Sequence, residues 1–412
     1  MKPPRILLLA PCAPWPPDTG RTQRTHILHR ALSRIGRVDT LVLPPPRGEE
    51  RSLLESEFGL LPSGTEERRA ALRLFTRLRR RPSKTLDFLV HLLRYHPRTY
   101  RPDDGLNRRV AELVRQNGYD LIVGRYSLLA CKASAFRHAP LIVDIDDVDY
   151  MIPQTEAEHG DTPWPLAAYF RHCARRIEPI VRDFWKRCAH LWLANAADAV
   201  HVGSDSVREL PNIPFSRTGE IQPCPPNDSS GTILLVAHAR WYPNRDGIER
   251  FLREAWPRVL KRYPDAKLQI AGKAAAADAA RWRRHKGVEL LGFVDDLRQA
   301  YAGAAFTVAP IFVGGGTKIK VLESLAHGRA CVVTPHSHRG HEESLPDTKA
   351  VLRQDAPAGL ADACCRLLED PATRRGLAEF GAEVVRKRYS RQRVDEIVEA
   401  TVEGVLRRRN AA

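Results

Sequence analysis

Short runs of aliphatic residues alternate with helix-period segments along most of this 412-residue chain. The first run, residues 5–10, precedes a segment whose apolar residues recur at the spacing of one helical face: Ile27, Leu28, Ala31, Leu32 and Ile35. Further runs occupy residues 38–43, 119–124, 140–146 and 199–203. Strands that are apolar throughout and alternate with helices form parallel sheets covered on both faces. The pattern predicts an α/β fold built on a doubly wound sheet.

The alternation is interrupted once and then starts again. Residues 211–231 are rich in Pro, Asn, Ser and Gly, which is typical of an interdomain connection. The later apolar runs are residues 232–237, 267–272, 288–292, 305–310, 330–335 and 349–353. We therefore predict two Rossmann-like domains, residues 1–210 and 232–388, joined by a linker over 211–231. Residues 389–412 predict a closing helix, because apolar residues recur there at helical spacing: Val394, Ile397, Val398, Val402 and Val405.

The chain is basic, with 65 Lys and Arg against 49 Asp and Glu and a formal charge of +16. This charge favours an acidic partner, which could be nucleic acid, anionic lipid or a phosphorylated small molecule. No apolar run reaches the roughly 18 residues of a membrane span and no signal-peptide cleavage site is evident, so we expect a cytoplasmic protein. The eight cysteines form no pattern typical of zinc binding, so we expect buried free thiols.

The sharpest local signal is a glycine-rich turn between a strand and a helix. Three glycines follow the run at 305–310, namely Gly314, Gly315 and Gly316. Glycines let a ligand approach the main chain, and the N–H groups and partial positive charge of a helix N-terminus favour an anion such as a diphosphate. The helix is expected to open at about Thr317, so the N–H groups would come from Thr317, Lys318 and Ile319. A plain turn would also explain the glycines.

Two charged residues follow on the predicted helix. Glu323 comes three residues after Lys320 and four after Ile319, so the three side chains share one face. A carboxylate there could accept hydrogen bonds from ribose hydroxyls. Lys320 and Glu323 could equally be an exposed pair of small energetic weight.

At these residues the chain resembles the retaining glycosyltransferases of the GT-B group 1 family, family 4, over essentially its full length. The family signature is Glu, seven residues, Glu, then a small-residue stretch and a strand, and the second Glu is Glu323 in KVLESLAHGRACVV. The first falls at Gly315, which resembles bacterial exopolysaccharide-type members, including those associated with exosortase (PEP-CTERM) systems. The resemblance implies two domains facing across a cleft, a C-terminal helix that returns to the N-terminal domain, and a nucleotide-sugar donor bound mainly by the C-terminal half.

Two more segments of the C-terminal half are similar to the family's donor site. Where the family places cations that neutralise the leaving diphosphate, this chain offers Arg240, Arg245 or Lys273, and we select Arg240. A solvated loop arginine is the alternative. The segment around residue 292 is similar to the family's base-binding strand and loop, which implies nucleobase contacts from the main chain of Gly292, Phe293 and Val294.

The N-terminal half carries two segments that resemble the family. PPDTGRTQR is similar to its glycine-containing loop after the first strand, which implies a role for Gly20, and Arg24 one turn later could reach an anion. LIVDIDDVDY is similar to an acidic segment after a central strand, where Asp144 and Asp147 would orient the acceptor hydroxyl or the transferred sugar. The end of a strand is where such sheets bind ligands. These acidic residues could instead cap a helix or bind a cation.

Eight basic residues lie between Arg68 and Lys84, interleaved with Leu72, Phe75 and Leu78. This segment is a candidate basic amphipathic helix that could rest on an anionic membrane surface, which would suit a lipid-linked acceptor. A solvated helix face would explain it as well. One aromatic residue among the charges and no recognised module argue against nucleic acid as the partner.

Together these features predict an enzyme of the hexosyltransferase class. It would move a sugar from a nucleoside-diphosphate donor to a saccharide or lipid-linked saccharide, with retention, in surface polysaccharide or glycolipid biosynthesis. Lys318, Lys320 and Arg240 would stabilise the leaving diphosphate, so we expect no metal and no other cofactor. The alternatives are a nucleotide-sugar epimerase on the same fold and a non-catalytic polyanion-binding protein. We expect the enzyme in the cytoplasm, peripheral to the inner face of the cytoplasmic membrane if the basic segment binds lipid.

Overall fold

The computed structural model describes residues 2–17, 19–43, 95–158, 162–216, 220–314 and 316–411. Gly315 and the basic segment between Arg68 and Lys84 lie outside these residues. The chain divides into two compact units: Met1–Leu210 with Val394–Ala412 (unit 1), and Pro211–Arg393 (unit 2).

The described residues of unit 1 form a six-stranded parallel sheet. Its strands are β1 (Arg5–Ala10), β2 (Arg37–Val42), β3 (Leu121–Arg125), β4 (Leu141–Asp146), β5 (His190–Leu193) and β6 (Val207–Glu209), in the spatial order β2-β1-β3-β4-β5-β6. Its helices include α1 (Gly20–Ile35), α2 (Asp104–Asn117), α3 (Ser127–Lys132), α4 (Met151–Glu158), α5 (Trp164–Trp185) and α6 (Ala199–Val202), with short 3-10 turns at Pro97–Tyr100, Ala135–Arg137 and Ala196–Asp198. The order reverses between β1 and β3, so the loops after these strands border the crevice where such sheets bind ligands.

The start of unit 1 follows from its sequence pattern. β1 is buried from Ile6 onward, as expected for a strand covered on both faces. α1 begins after Thr19, whose side chain accepts a hydrogen bond from the Thr22 amide while the Thr22 hydroxyl accepts one from the Thr19 amide. The predicted apolar face of α1 is buried at Ile27, Leu28, Ala31 and Leu32.

The described residues of unit 2 form a second six-stranded parallel sheet. Its strands are β7 (Thr232–Val236), β8 (Lys267–Ala271), β9 (Val288–Gly292), β10 (Phe306–Ala309), β11 (Cys331–Val333) and β12 (Val351–Arg353), in the order β12-β11-β10-β7-β8-β9. α7 (Tyr242–Arg250) continues through a π-helical segment, Phe251–Ala255, into α8 (Trp256–Arg262). The other helices are α9 (Ala276–Trp282), α10 (Arg298–Gly303), α11 (Ile319–Ala326), α12 (Pro335–His338), α13 (Pro357–Glu369) and α14 (Pro371–Arg388). Here the strand order reverses between β7 and β10.

The last helix, α15 (Arg391–Ala411), packs within unit 1 from Val394 onward. Its buried residues are Val394, Ile397, Val398, Thr401, Val402 and Val405, the same helical stripe that the sequence shows. The indole Nε1 of Trp192 in β5 donates a hydrogen bond of 3.2 Å to Thr401. The two doubly wound α/β domains and the return of the last helix are confirmed.

One strand prediction is wrong. Residues 199–203 form the single-turn helix α6, and the sheet is extended instead by β5 and β6. The Asn195 side chain accepts a hydrogen bond from the Ala197 amide at the start of the 3-10 turn that leads into α6, and Gly203, with φ of 64°, ends α6. A short apolar run fits a helical turn as well as a strand, because periodicity does not separate the two over four residues.

None of the helices within the described part of the chain combines the length and apolar character needed to cross a membrane. All eight cysteines lie in the described ranges and are free, and six of them are buried.

Candidate functional site

In unit 2 the carboxyl ends of β7 and β10 lie side by side. The two strands pair in parallel, with Phe306 opposite Ile233. The loop after β7 leads into the WYPNRDG segment (residues 241–247), and the loop after β10 is the glycine-rich turn (residues 311–318). Since the strand order reverses at this pair, both loops border the ligand crevice expected of an open α/β sheet.

The glycine-rich turn requires glycine at position 314. Gly314 has φ of 100°, and a Cβ atom there would come within 2.9 Å of Pro243 and 3.3 Å of Trp241. The His336 ring is hydrogen-bonded to the Gly314 carbonyl. Gly316 also has a positive φ, 70°. The space beside Gly314 is thus filled by the WYPNRDG segment, so this glycine serves the packing of the turn. Gly315, also predicted to bind the donor, is among the residues not described.

α11 begins at Ile319, two residues later than the sequence suggested. Lys318 is its N-cap residue, with an extended backbone, and the Lys318 side chain makes no capping hydrogen bond. The Thr317 hydroxyl lies before the helix and accepts a hydrogen bond of 2.9 Å from Asn212. A helix N-terminus without a capping side chain keeps its N–H groups and its partial positive charge for an anion. Thr317, Lys318 and Ile319 all lie at this end, and the binding of a diphosphate by their N–H groups stays a prediction.

Two lysines stand at the same helix end. Lys318 is 4% exposed, and its Nζ donates to the Gly316 carbonyl at 2.7 Å. The Nζ of Lys320 donates to Oδ1 of Asn244 at 2.6 Å. Burial lowers the pKa of Lys320 to about 7, with Lys318 adding to the effect and Glu323 opposing it. An anion beside these ammonium groups would relieve the cost of their burial.

Glu323 lies one turn into α11. Burial raises the pKa of its carboxyl to about 7, and Lys320 works in the opposite direction. Glu323 and Lys320 therefore influence each other on one helical face, as their spacing indicates. Whether Glu323 binds a ribose stays a prediction.

The other predicted phosphate cation, Arg240, is exposed on the loop after β7. The two alternative candidates for this cation lie against aromatic rings. Arg245 Cζ is 5.8 Å from the ring centroid of Tyr242, and Lys273 Nζ is 4.3 Å from the ring centroid of Phe293. The selection of Arg240 stays a prediction.

The predicted base-binding residues follow β9. Gly292 has φ of 69°, and its carbonyl accepts a hydrogen bond of 2.6 Å from the Gly272 amide. The Gly292 carbonyl is therefore already engaged within the sheet. The Phe293 ring is 45% exposed, and Val294 packs against a small cluster of buried residues around Tyr301. These placements leave the Phe293 ring more accessible than the Val294 side chain.

In unit 1, Arg24 and Asp144 neutralise each other. Arg24 donates to Asp144 from Nε at 2.9 Å and from Nη2 at 2.6 Å, and Nη2 also donates to the Leu210 carbonyl. Asp144 is fully buried and accepts a further hydrogen bond of 2.8 Å from Arg125. Gly20 is the exposed first residue of α1, and Asp147 is half-buried after β4. Arg24 and Asp144 thus hold the end of β4 in place.

Five residues near the carboxyl ends of strands in the two units were not predicted from the sequence as site residues: Arg125, Tyr126, Asp146, Asn244 and His336. Tyr126 and Asp146 both have positive φ, 67° and 59°, which is unusual for residues with side chains. The Asp146 carboxylate accepts hydrogen bonds from Arg125 at 3.3 Å and Tyr126 at 3.2 Å. The arginine that ends the apolar run LIVGR was the available signal. Within the described ranges no group of three or more His, Cys, Asp or Glu could hold a metal ion.

Comparisons with known proteins identify the class of unit 2. Residues 232–370 match the family model described as glycosyl transferases group 1. No curated protein is similar in sequence at a significant level.

Solved structures share the fold of the whole chain. Sucrose-phosphate synthase from Thermosynechococcus elongatus has a TM-score of 0.67 at 15% identity, over 98% of this chain and 99% of that one. Anabaena HepE in complex with UDP has a TM-score of 0.65 at 14% identity, over 98% and 100%. TarM, known from S. aureus, has a TM-score of 0.56 at 13% identity, over 73% of this chain, which spans only 57% of TarM. The fold is that of the GT-B glycosyltransferases, and the group 1 match indicates that the chain is a glycosyltransferase.

Proposed function

We propose that the chain transfers a sugar from a nucleoside-diphosphate donor to a saccharide or lipid-linked saccharide, with retention of configuration. The observation that carries the proposal is the N-terminus of α11, where the glycine-rich turn, a helix end and two lysines converge at the strand switch of unit 2. Helix N-termini and paired cations are sites for diphosphates. Glu323, on the same helix, would accept hydrogen bonds from the ribose hydroxyls.

The proposed reaction breaks the bond between the anomeric carbon and the donor phosphate oxygen, and the bonding electrons stay on that oxygen. The acceptor oxygen forms the new glycosidic bond, and its proton passes to the departing phosphate. Lys318 and Lys320 would stabilise the charge that develops there, with Arg240 as a third cation. Donors fixed in place contribute on the order of 10²- to 10³-fold in rate each. These cations would stabilise the leaving diphosphate as a metal ion does in other transferases, so we propose no metal ion.

We propose unit 1 as the acceptor side, with Asp147 beside the acceptor or the transferred sugar. Surface polysaccharide or glycolipid assembly, on the inner face of the cytoplasmic membrane, is the setting that the family resemblance suggests. The basic segment between Arg68 and Lys84 would then approach anionic lipid. HepE was solved with UDP and with UDP-glucose, which makes UDP the first nucleotide to test here.

The proposal is tested by calorimetric titration of the protein with UDP, GDP, ADP and CMP, repeated on Glu323→Ala and Lys320→Ala at moderate salt. We expect one diphosphate to bind selectively and to bind more weakly to both variants. Binding of none of them by folded protein would contradict the proposal, and steeply salt-dependent binding to polyanions instead would support the non-catalytic alternative. With the matching sugar donor, NMR of the product would show the retained anomer. Interconversion of two sugars without any acceptor would point to an epimerase.

A further inference from the structure

Asn244 is a buried amide in α7 with both polar ends engaged. Asn244 is only 6% exposed, and its side-chain Nδ2 donates a hydrogen bond of 3.0 Å to the His238 carbonyl. Its Oδ1 accepts from Lys320 Nζ at 2.6 Å. Since a carbonyl can only accept, the bond to His238 fixes the NH₂ end of the amide and turns the oxygen towards Lys320.

Asn244 also has a fixed position relative to the glycine-rich turn. Two residues of the same segment touch the loop after β10: a Cβ on Gly247 would overlap the Pro310 carbonyl, and Pro243 fills the space beside Gly314. These contacts lie on both sides of Asn244 in the sequence. The amide oxygen is therefore presented from a part of α7 that is packed directly against the turn.

We propose that Asn244 is a positioning residue for Lys320, holding its ammonium at the N-terminus of α11 where the donor diphosphate would bind. This inference rests on the proposed function. An ammonium has three donors, so one hydrogen bond to Asn244 leaves two for phosphate oxygens. A carboxylate in the same place would neutralise the lysine and repel the diphosphate, whereas an amide orients the cation and leaves its charge available.

Other groups also face Lys320. Lys318 lies before it in the chain, Glu323 follows in α11 and Cys331 lies in β11, and burial is the largest influence on its pKa. Replacement of Asn244 changes only the contact from α7, so the titration of Lys320 reports on that contact.

A double-mutant cycle tests the proposal with UDP as the probe, on wild type, Asn244→Ala, Lys320→Met and the double variant. The loss of a hydrogen bond to a charged group weakens binding by about tenfold or more. We therefore expect Asn244→Ala to weaken UDP binding by about tenfold. In the Lys320→Met background the same change should alter affinity by less than about twofold. An equal loss in both backgrounds would mean that Asn244 only supports the fold of α7, and would overturn the proposal.

A second readout does not depend on nucleotide binding. NMR of protein labelled with ¹³C-lysine, with Lys320→Met for assignment, gives the titration of Lys320 in wild type, Asn244→Ala and Asn244→Asp. We expect a carboxylate at position 244 to raise the midpoint of Lys320 by about one pH unit or more. The same midpoint in all three proteins would overturn the contact itself. Failure of wild type to bind any nucleotide would contradict the proposed function, and this titration would still decide whether Asn244 holds Lys320.

Discussion

Gly247 of α7 lies directly against the main chain of Pro310, with no room for a side-chain atom between them. The helix after β7 and the loop after β10 thus meet backbone to backbone, and the candidate donor site of unit 2 is built on this contact. Close packing of this kind tolerates no added carbon without displacement of one of the two elements.

Gly247→Ala should therefore destabilise unit 2 by about 2–3 kcal/mol, because the new methyl group overlaps the Pro310 carbonyl. Gly376→Ala is the matched control, since a Cβ at this position of α14 meets no atom within 4 Å. It should leave stability unchanged or raise it by up to about 1 kcal/mol, as alanine does in a helix. Denaturant unfolding of both variants makes the comparison, and equal stabilities would show that the contact is not tight in solution.

The buried charges at the end of β4 give a second stability prediction. Arg125 is fully buried and donates to Asp144 at 2.8 Å and to Asp146 at 3.3 Å. Arg125→Met should cost about 3–5 kcal/mol, because it leaves buried carboxylates without one of their cations. The control is Arg187→Met, which breaks an exposed pair with Asp183 and should cost less than about 1 kcal/mol. Similar losses in the two variants would contradict a structural role for the buried network.

Most of the sheet architecture could be predicted because strands of an α/β fold are apolar throughout and are separated by amphipathic helices. The prediction failed over residues 199–203, where a short apolar run forms α6. The hydrogen bond from the Ala197 amide to Asn195 starts the 3-10 turn that leads into α6, and a search for apolar runs ignores it. β5 was missed in turn, since its run HLWL begins with a polar residue.

The candidate site could be predicted only where one segment carries the signal. The turn and helix around Lys318 are continuous in sequence, so glycines and a helix start were enough to find them. Asn244 lies 76 residues from Lys320 in the chain, and their contact depends on how α7 packs against the loop after β10. Arg125 likewise pairs with Asp144 only because β3 and β4 are neighbours in the sheet. Pairings of this kind follow from topology and not from local pattern.

The buried carboxyl of Asp149 predicts a pH effect on stability. Burial raises its pKa to about 6, although hydrogen bonds from Ser127 and Tyr100 oppose the shift. The pKa of Asp149 is higher in the folded protein than in the unfolded chain. The contribution of this group to folding stability is therefore fully present below about pH 4 and is lost as pH rises through about 6. Relative to Asp149→Asn, wild type should lose up to about 3 kcal/mol of unfolding free energy between about pH 4 and pH 7. A parallel pH dependence of wild type and Asp149→Asn would refute the assignment.

Addition of a single methyl group to the glycine-rich turn should weaken nucleotide binding. Gly314→Ala introduces a Cβ 2.9 Å from Pro243 at φ of 100°, so the turn must shift and carry the start of α11 with it. We expect UDP affinity to fall by about tenfold or more, which corresponds to misplacement of one charged hydrogen bond. Gly118→Ala, just after α2 in unit 1, is the control: its φ is also positive, 62°, but a Cβ there meets nothing within 4 Å. Equal affinities of the two variants would argue against a phosphate site at this turn.

Lys320 and Glu323 make nucleotide binding pH-dependent if the proposed site is correct. Each has a pKa of about 7 in the free protein, lowered for the lysine and raised for the glutamate by burial. A bound diphosphate raises the pKa of Lys320, so binding takes up a proton there near neutral pH, and this contribution to affinity should fall as pH rises above about 7, by up to tenfold per unit. Hydrogen bonds from ribose hydroxyls to the Glu323 carboxylate act on the pKa of Glu323 in the opposite direction. Calorimetry in two buffers of different ionisation enthalpy measures this proton uptake. Lys320→Met should remove the proton uptake at the lysine and Glu323→Gln the opposing contribution of the glutamate, and the same proton uptake in wild type and Lys320→Met would place the diphosphate away from α11.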